Sequence, residues 1–241
     1  MKILNSTCVL VAAAMSSIGQ SVILYDSASN VRPEDASWGW TLGQSTAGTY
    51  ATGPGGAGYT TLASGPSNAV SVGWAKSSPL ILDPMVGYTA SWKVQLVSES
   101  HASDNLRAGL SFFALGSDKK GVEIGFWQDR VFAYNDNQAF SPAEFFALDT
   151  TAAMHTYSLT VTGPKYNLFI DGTKRLSGDT RNYAAVRAQY NVANALWYGD
   201  DTSRAQSVSR WSSMEVKAVP EPASICALGL GLAAVLRRKR G

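Results

Sequence analysis

Cysteine is almost absent from this chain of 241 residues, and the two that occur, Cys8 and Cys226, lie in the terminal segments. The body between them therefore offers no disulfide, no thiol nucleophile and no cysteine metal site. Histidine is equally scarce, since the chain has two, His101 and His155. Neither accompanies a G-x-S-x-G motif, so we interpret both as structural or solvated residues and not as members of a catalytic triad.

A basic surface is also missing. Residues 20–219 contain 15 Lys and Arg against 17 Asp and Glu, so the cationic excess of the whole chain comes from its ends. Proteins that bind nucleic acid need a positive face that neutralises phosphates. We therefore expect no nucleic-acid partner.

The N-terminal segment has the composition of an export signal. Lys2 precedes an apolar stretch at residues 9–15, and the small residues Ser17 and Gly19 suit a signal peptidase. We predict a cleaved signal peptide at residues 1–19.

The C-terminal segment combines three features in a fixed order. Pro220, Glu221 and Pro222 precede an apolar run of 14 residues at 223–236, and a cationic cluster ends the segment: Arg237, Arg238, Lys239 and Arg240. As a helix the run spans about 21 Å, which is short for a bilayer core of about 30 Å. We predict a short hydrophobic helix that serves as a weak, transient anchor, with the preceding domain outside the membrane.

These residues resemble the PEP-CTERM sorting signal of Gram-negative bacteria. The resemblance covers residues 219–241 and implies a short stay in the inner membrane, processing near Pro220–Pro222 by an exosortase, and release to the cell surface or extracellular matrix. A weak anchor suffices for such a protein because it holds the chain only until cleavage.

The body, residues 20–218, alternates apolar and polar residues with a period of two. The clearest example is residues 88–96, where Trp92 and its alternate neighbours face one side, and the same pattern places Leu110 and Ile124 inward. Further strands are predicted at 107–114, 122–128, 131–135, 155–162 and 166–170, and weaker ones near 22–26, 38–42, 70–74, 195–199 and 207–216. Asp171 and Gly172 predict a tight hairpin turn. Residues 142–146 are the one stretch with some helical character.

Strands with one dry and one wet face must pack as two sheets, so we predict a single all-β domain, a two-sheet antiparallel jelly-roll sandwich. The strand at 107–113, the segment 121–127, the hairpin at 155–172 and the step at 199–203 resemble the concanavalin A-like lectin/glucanase superfamily and its laminin G-like members. That resemblance implies a sheet face or rim loops that bind saccharides.

The outward parity of these strands predicts a polar surface with one aromatic plate. Gln95, Arg107, Glu123 and Trp127 are its candidate sugar-binding residues, because a tryptophan stacks on the apolar face of a sugar ring and charged or amide groups bind its hydroxyls. The same face would carry Lys93, Glu99 and Ser111, while the sides of Phe132 and Tyr134 stay ambiguous. A solvated sheet face with the same residues is the alternative.

Asp200 and Asp201 are candidate ligands for a structural Ca²⁺, an ion that the resembled superfamily often holds. Residues 135–137, Asn-Asp-Asn, form a second candidate loop. Neither loop has the spacing of a dedicated calcium loop, so ordinary turn chemistry is the alternative.

The sequence argues against catalysis. The hydrolases of the resembled superfamily carry E-x-D-x-E or E-x-D-x-x-E on one strand, whereas here Glu123 stands alone before Asp129. Glu99 and Glu123 could still pair across strands. The glycines at 53–58 lack the flanking strand and helix that phosphate binding needs, so we interpret residues 48–66 as a surface loop.

We therefore predict an exported, non-catalytic surface or matrix protein whose partners are an exosortase-type enzyme and an exopolysaccharide. A purely structural matrix protein without a sugar site is one alternative, and a glycoside hydrolase or polysaccharide lyase is the other.

Overall fold

The computed structural model describes residues 19–44, 49–52, 58–64 and 71–218. Their regular structure is almost entirely β-strand, with short 3₁₀ turns at Ser27–Ser29, Tyr183–Ala185 and Ala188–Tyr190. The strands are β1 Gln20–Asp26, β2 Thr41–Gln44, β3 Thr49–Thr52, β4 Thr60–Ala63, β5 Val72–Ser77, β6 Tyr88–His101, β7 Ser111–Leu115, β8 Gly121–Trp127, β9 Arg130–Tyr134, β10 Pro142–Ala147, β11 His155–Thr162, β12 Lys165–Ile170, β13 Thr173–Asp179, β14 Ala195–Asp200 and β15 Ala205–Ala218.

The strands form two antiparallel sheets. In the back sheet the order is β13-β12-β11-β6-β15-β4-β3, and β1 also pairs with β15. In the front sheet the order is β10-β9-β8-β7-β14-β5-β2. The two longest strands, β6 and β15, pair along their whole length at the centre of the back sheet. The predicted two-sheet sandwich is confirmed.

One hydrophobic core lies between the sheets. Trp92 of the back sheet and Ile124 of the front sheet belong to it, together with Leu110, as the period-two pattern predicts. Trp92 stacks on Phe112 across the interface with ring centroids 3.9 Å apart. Each large apolar side chain buried in this way contributes about 1.5–3 kcal/mol, so the core holds the two sheets face to face.

Part of the front sheet is covered on its outer side as well. Residues 135–141 and 180–194, which we call the cover, lie against β8 and β9 and form a second apolar cluster with them. The aromatic members of this cluster are Trp127, Phe132 and Tyr134 from the sheet and Phe140, Tyr183 and Tyr190 from the cover. Phe132 and Tyr134 therefore face away from the main core, which settles their side.

Two local predictions are wrong. Residues 142–146, which showed some helical character, belong to strand β10, because Phe145 and Phe146 pair with Phe132 and Val131 of β9. The stretch 48–66 that was predicted as a loop contains β3 and β4, which pair with each other. In both cases strand pairing with distant residues outweighs the local pattern.

The predicted hairpin turn is confirmed. Asp171 and Gly172 both have positive φ, 48° and 78°, which is the geometry of a tight two-residue turn between β12 and β13.

The predicted signal peptide, residues 53–57 of the glycine-rich segment and the sorting segment lie outside the described residues, and the domain boundaries at 19/20 and 218/219 stay predictions. Among the described residues no helix is long and apolar enough to cross a membrane.

Candidate functional site

The structure separates the four residues predicted to bind sugar. Arg107, Glu123 and Trp127 lie on the outer side of the front sheet, but Gln95 belongs to β6 in the back sheet. There Gln95 donates to the carbonyl oxygen of Thr151 at 2.7 Å. The prediction assumed that β6 and the next strand are neighbours, whereas the chain crosses from one sheet to the other between them.

The predicted surface is also not exposed to solvent, which is a second correction. Glu123 is fully buried, and Trp127 is 8% exposed. The imidazole of His101 stacks on Trp127 with centroids 4.4 Å apart, and the indole N–H donates to the carbonyl oxygen of Arg107 at 3.1 Å. His101 and Phe132 thus pack against the indole and leave little of it exposed, so Trp127 does not offer an open plate to a sugar.

Under the cover, Arg107 joins two carboxylates. Its Nη2 donates to Asp201 Oδ1 at 2.6 Å and to Glu123 Oε1 at 3.2 Å. The guanidinium carbon lies 4.5 Å from the ring centroid of Tyr134 and 4.9 Å from that of Phe140. Charge pairing and stacking together fix the plane of the guanidinium.

Tyr190, which belongs to the cover, joins the hydrogen-bond network of Arg107, Glu123 and Asp201. Its hydroxyl lies 2.6 Å from Glu123 Oε2 and 2.8 Å from Asp201 Oδ2. One phenolic proton cannot serve both carboxylates. Burial, and then the charge of Asp201, raise the pKa of Glu123 to about 8. The raised pKa favours the protonated form of Glu123, and Arg107 also forms an ion pair with Asp201.

Asp200 and Asp201 do not fit a calcium ion held by both. Asp200 accepts from the backbone N–H of Thr202 at 3.0 Å, and burial raises its pKa to about 8. Asp201 is committed to Arg107 and Tyr190, so a cation bound there would meet the guanidinium. The two side chains point to different partners: Asp200 is the last residue of β14, and Asp201 follows the strand.

The second candidate calcium loop is used in the cover. Asp136 accepts from the backbone N–H of Asn182 at 3.1 Å, and the amides of Asn135 and Asn137 donate to Ser141 Oγ. Within the described ranges there is no group of three or more His, Cys, Asp or Glu side chains that could hold a metal ion.

The other candidate catalytic groups are also dispersed. Glu99 contacts the imidazole Nδ1 of His101 at 2.9 Å, whereas Glu123 is bound to Arg107 and Tyr190, so the two glutamates have separate partners. His155 contacts Asp171 at 2.6 Å.

The other half of the front sheet is open. A groove of about 950 Å³ runs along β2, β5, β14 and the side of β7, and Trp197 and Phe113 line it. Both rings are half-buried, and they stack with an interplanar angle of 12°. The indole lies against Gly43 and Gly73, since a Cβ on Gly73 would come within 2.4 Å of it. Because Gly43 and Gly73 have no side chains, one face of the Trp197 indole lies flat on the sheet.

Sequence reasoning missed Trp197, although a signal was present. Leu196 and Tyr198 point into the core, so the residue between them must point outward by strand parity. A tryptophan at an outward position in a predicted strand indicates an aromatic surface.

A smaller cavity of about 310 Å³ adjoins this groove. Arg107, Phe140, Arg187 and Arg204 line it, and it shares Gln189, Tyr190 and Asp201 with the groove. Tyr190 therefore stands between the two spaces, and the buried network forms the floor of the smaller one.

A family model for the PEP-CTERM protein-sorting motif matches residues 218–240. No curated protein matches the chain. Among solved structures, the chain is similar to the conserved carbohydrate esterase of the Shiga toxin-encoding bacteriophage phi24B, with a TM-score of 0.59 and 15% identity over 83% of this chain and 100% of that one.

Two further structures are similar at lower scores. The carbohydrate recognition domain of Emp46p in its metal-free form has a TM-score of 0.47 and 14% identity, over 80% of this chain and 94% of that one. Alginate lyase A1-II′ of polysaccharide lyase family 7 has a TM-score of 0.45 and 12% identity, over 73% and 86%. At such identities a likeness shows the fold alone.

The sorting motif marks an exported protein that exosortase-type processing recognises and that passes through a membrane-anchored intermediate to the cell surface. The chain is an antiparallel β-sandwich protein with a PEP-CTERM sorting motif at its C-terminus.

Proposed function

We propose that this protein is a non-catalytic component of the cell surface or extracellular matrix of a Gram-negative bacterium, and that it binds polysaccharide in the groove beside Trp197. This keeps the predicted function but moves the site from the covered half of the front sheet to its open half.

The observation that carries the proposal is the aromatic floor of the groove. Trp197 and Phe113 lie side by side with nearly parallel rings, and aromatic planes bind the apolar C–H faces of pyranose rings. Thr41, Lys76, Ser77 and Gln189 at the walls supply hydrogen-bonding groups for hydroxyls. A groove of about 950 Å³ is at the upper end of the usual range for small-molecule sites, about 300–1,000 Å³, and accommodates several sugar residues.

The state of the carboxylates supports a non-catalytic role. Glu123 is fully buried and bound to Arg107 and Tyr190, so it has no free path to a glycosidic oxygen. Glycoside hydrolysis needs two carboxylates that reach the substrate. Asp201 lines both spaces but is held by Arg107.

The test is glycan binding by the purified protein, measured on an exopolysaccharide panel, with the variants Trp197→Ala and Phe145→Ala. Phe145 is the matched control, because it is 59% exposed but lies outside the groove. We expect Trp197→Ala to weaken binding at least about fivefold, consistent with about 0.5–1.5 kcal/mol for an aromatic contact plus lost burial, and Phe145→Ala to bind like the unmodified protein.

If Trp197→Ala binds as tightly as the unmodified protein and both variants are folded, the sugar site does not lie beside Trp197. Retention on no polysaccharide would favour the structural alternative. Release of reducing or unsaturated ends that disappears in Glu123→Gln would establish the hydrolase or lyase alternative instead.

A further inference from the structure

Arg107 has hydrogen-bonding capacity that the buried network leaves unused. A guanidinium carries five N–H donors. Both bonds of Arg107 to the carboxylates run through Nη2, and no acceptor for Nε or Nη1 occurs among the described residues. The side chain is 10% exposed and lines the 310 Å³ cavity.

The orientation of this guanidinium is fixed before any ligand arrives. The rings of Tyr134 and Phe140 pack against it, and Asp201 and Glu123 accept hydrogen bonds from its Nη2. Its free Nε–H and Nη1–H donors can each make a charge-assisted hydrogen bond to a carboxylate oxygen. Little conformational entropy is lost when such a group binds.

The cavity collects positive charge in a domain that is negative overall. Three arginines line it, Arg107, Arg187 and Arg204, against one carboxylate, Asp201, whereas residues 20–219 carry two more acidic than basic residues. Arg204 is paired with Asp104. Arg187 has no carboxylate partner in the described part of the chain, and its guanidinium lies 5.7 Å from the ring of Phe140.

The volume of the cavity and its position beside the aromatic groove suit a single sugar residue. A cavity of about 310 Å³ has room for about one sugar residue by comparison with ordinary ligand sites. It opens beside the aromatic groove, with which it shares Gln189, Tyr190 and Asp201. A glycan lying on Trp197 can therefore place its next residue against Arg107.

We propose that this cavity is a carboxylate subsite, and that the glycan bound by the protein is an acidic polysaccharide with a uronate residue seated on Arg107 and Arg187. The proposal rests on the proposed function, because it takes the aromatic groove as the neighbouring subsite. A neutral glycan would leave the free donors of Arg107 without a charged acceptor.

The experiment compares matched glycans by calorimetry with the purified protein. The probes are polygalacturonate, hyaluronan and a polyglucuronate, each with its carboxyl-reduced, neutral form. We expect at least one acidic form to bind about tenfold or more tightly than its reduced form in 50 mM salt, and the difference to shrink in 500 mM salt because charge pairing is screened.

Arg187→Gln should reduce the acidic preference at least threefold without changing the affinity for the reduced form. Arg175→Gln is the matched control, since Arg175 is exposed and lies over Phe146, away from the cavity. Arg107→Lys keeps the charge but loses the fixed Nε and Nη1 donors, and it should abolish the preference. If the Arg107→Lys variant does not fold, the comparison of acidic with reduced glycans and the Arg187→Gln variant still test the carboxylate subsite.

Equal affinity for acidic and reduced forms would overturn the carboxylate subsite and leave the Trp197 groove standing. Binding of neither form would overturn both proposals. Equally tight binding of duplex DNA would overturn the subsite too, because the cavity would then respond to charge without recognising a sugar.

Discussion

Arg107 and Asp201 are 94 residues apart in the sequence, yet a hydrogen bond of 2.6 Å joins them beneath the cover. Arg107 precedes β7, and Asp201 follows β14, the strand that pairs with β7. The pairing of these two strands therefore brings the opposite charges together. Because Asp201 faces both the cavity and the groove, this ion pair links the stability of the cover to the geometry of the site.

Removing the guanidinium should destabilise the fold strongly. In Arg107→Ala the carboxylate of Asp201 loses its cation and the fully buried Glu123 loses a hydrogen-bond donor, and removing one partner of such a pair costs about 3–5 kcal/mol. The matched control is Arg130→Ala, whose partner Asp129 is largely exposed and which should cost less than about 1 kcal/mol. Urea denaturation measures both free energies of unfolding. Similar losses in the two variants would contradict a structural role for the buried pair.

Tyr190 and Glu123 should be energetically coupled. Tyr190→Phe removes the hydroxyl that contacts Glu123 and Asp201, and a lost buried hydrogen bond costs about 1–3 kcal/mol. Glu123→Gln changes the same contact from the other side. In a double-mutant cycle we expect a coupling of about 0.5–3 kcal/mol. Additive free energies would mean that the cover is held by apolar packing alone.

Stability should fall as the pH rises from about 4.3 to about 8. Burial and the charge of Asp201 raise the pKa of Glu123 to about 8 in the folded protein, whereas an unfolded glutamate titrates near 4.3. Between these values the folded protein holds a proton that the unfolded chain has released. The stabilisation is therefore complete below about pH 4.3, declines by at most about 1.4 kcal/mol per pH unit, and is lost above about pH 8.

The check is urea denaturation at several pH values for Glu123→Gln, which mimics the protonated side chain. This variant should gain stability relative to the unmodified protein as the pH rises. Asp200 has a similarly raised pKa, so the free energy of unfolding should still fall somewhat with pH in both proteins. Asp179→Asn, a change at an exposed carboxylate, should run parallel to the unmodified protein. Identical slopes for Glu123→Gln and the unmodified protein would refute the proton assigned to Glu123.

Local periodicity explains which parts of the fold were predictable. The inward sides of Trp92, Leu110 and Ile124 follow from alternation within one strand, a property of neighbouring residues. Strand neighbours depend on distant pairing: β6 lies between β11 and β15, and no pattern within residues 88–101 identifies those partners. The error for Gln95 follows directly from this limit.

The site was harder to predict because burial on the outer side of a sheet needs a third layer. Residues 180–194 have neither strand nor helix periodicity, so their role as a cover is not visible locally. Tyr183 and Tyr190 contribute to the outer cluster to which Trp127 also belongs. Trp197, in contrast, could have been identified from parity alone, because the alternation of β14 places it on the outer face.

The Trp197 indole can lie flat on the sheet only because residue 73 is glycine. A Cβ on Gly73 would lie 2.4 Å from the indole and 2.6 Å from the carbonyl oxygen of Tyr198, whereas a Cβ on Gly43 would meet the indole at an ordinary 3.6 Å. Gly73→Ala should therefore displace the ring and cost about 1–3 kcal/mol of stability, as overpacking does, while Gly43→Ala should be nearly neutral.

Glycan affinity distinguishes a displaced ring from a merely strained sheet. If Trp197 is the stacking surface, Gly73→Ala should weaken binding about as much as Trp197→Ala, and Gly43→Ala should bind normally. The intrinsic fluorescence of the protein should also change in Gly73→Ala, because the indole leaves its contact with the sheet. Normal affinity in a folded Gly73→Ala variant would show that sugar binding does not need the indole to lie flat on β5, and the groove would then have to bind its ligand through Phe113 and the polar walls.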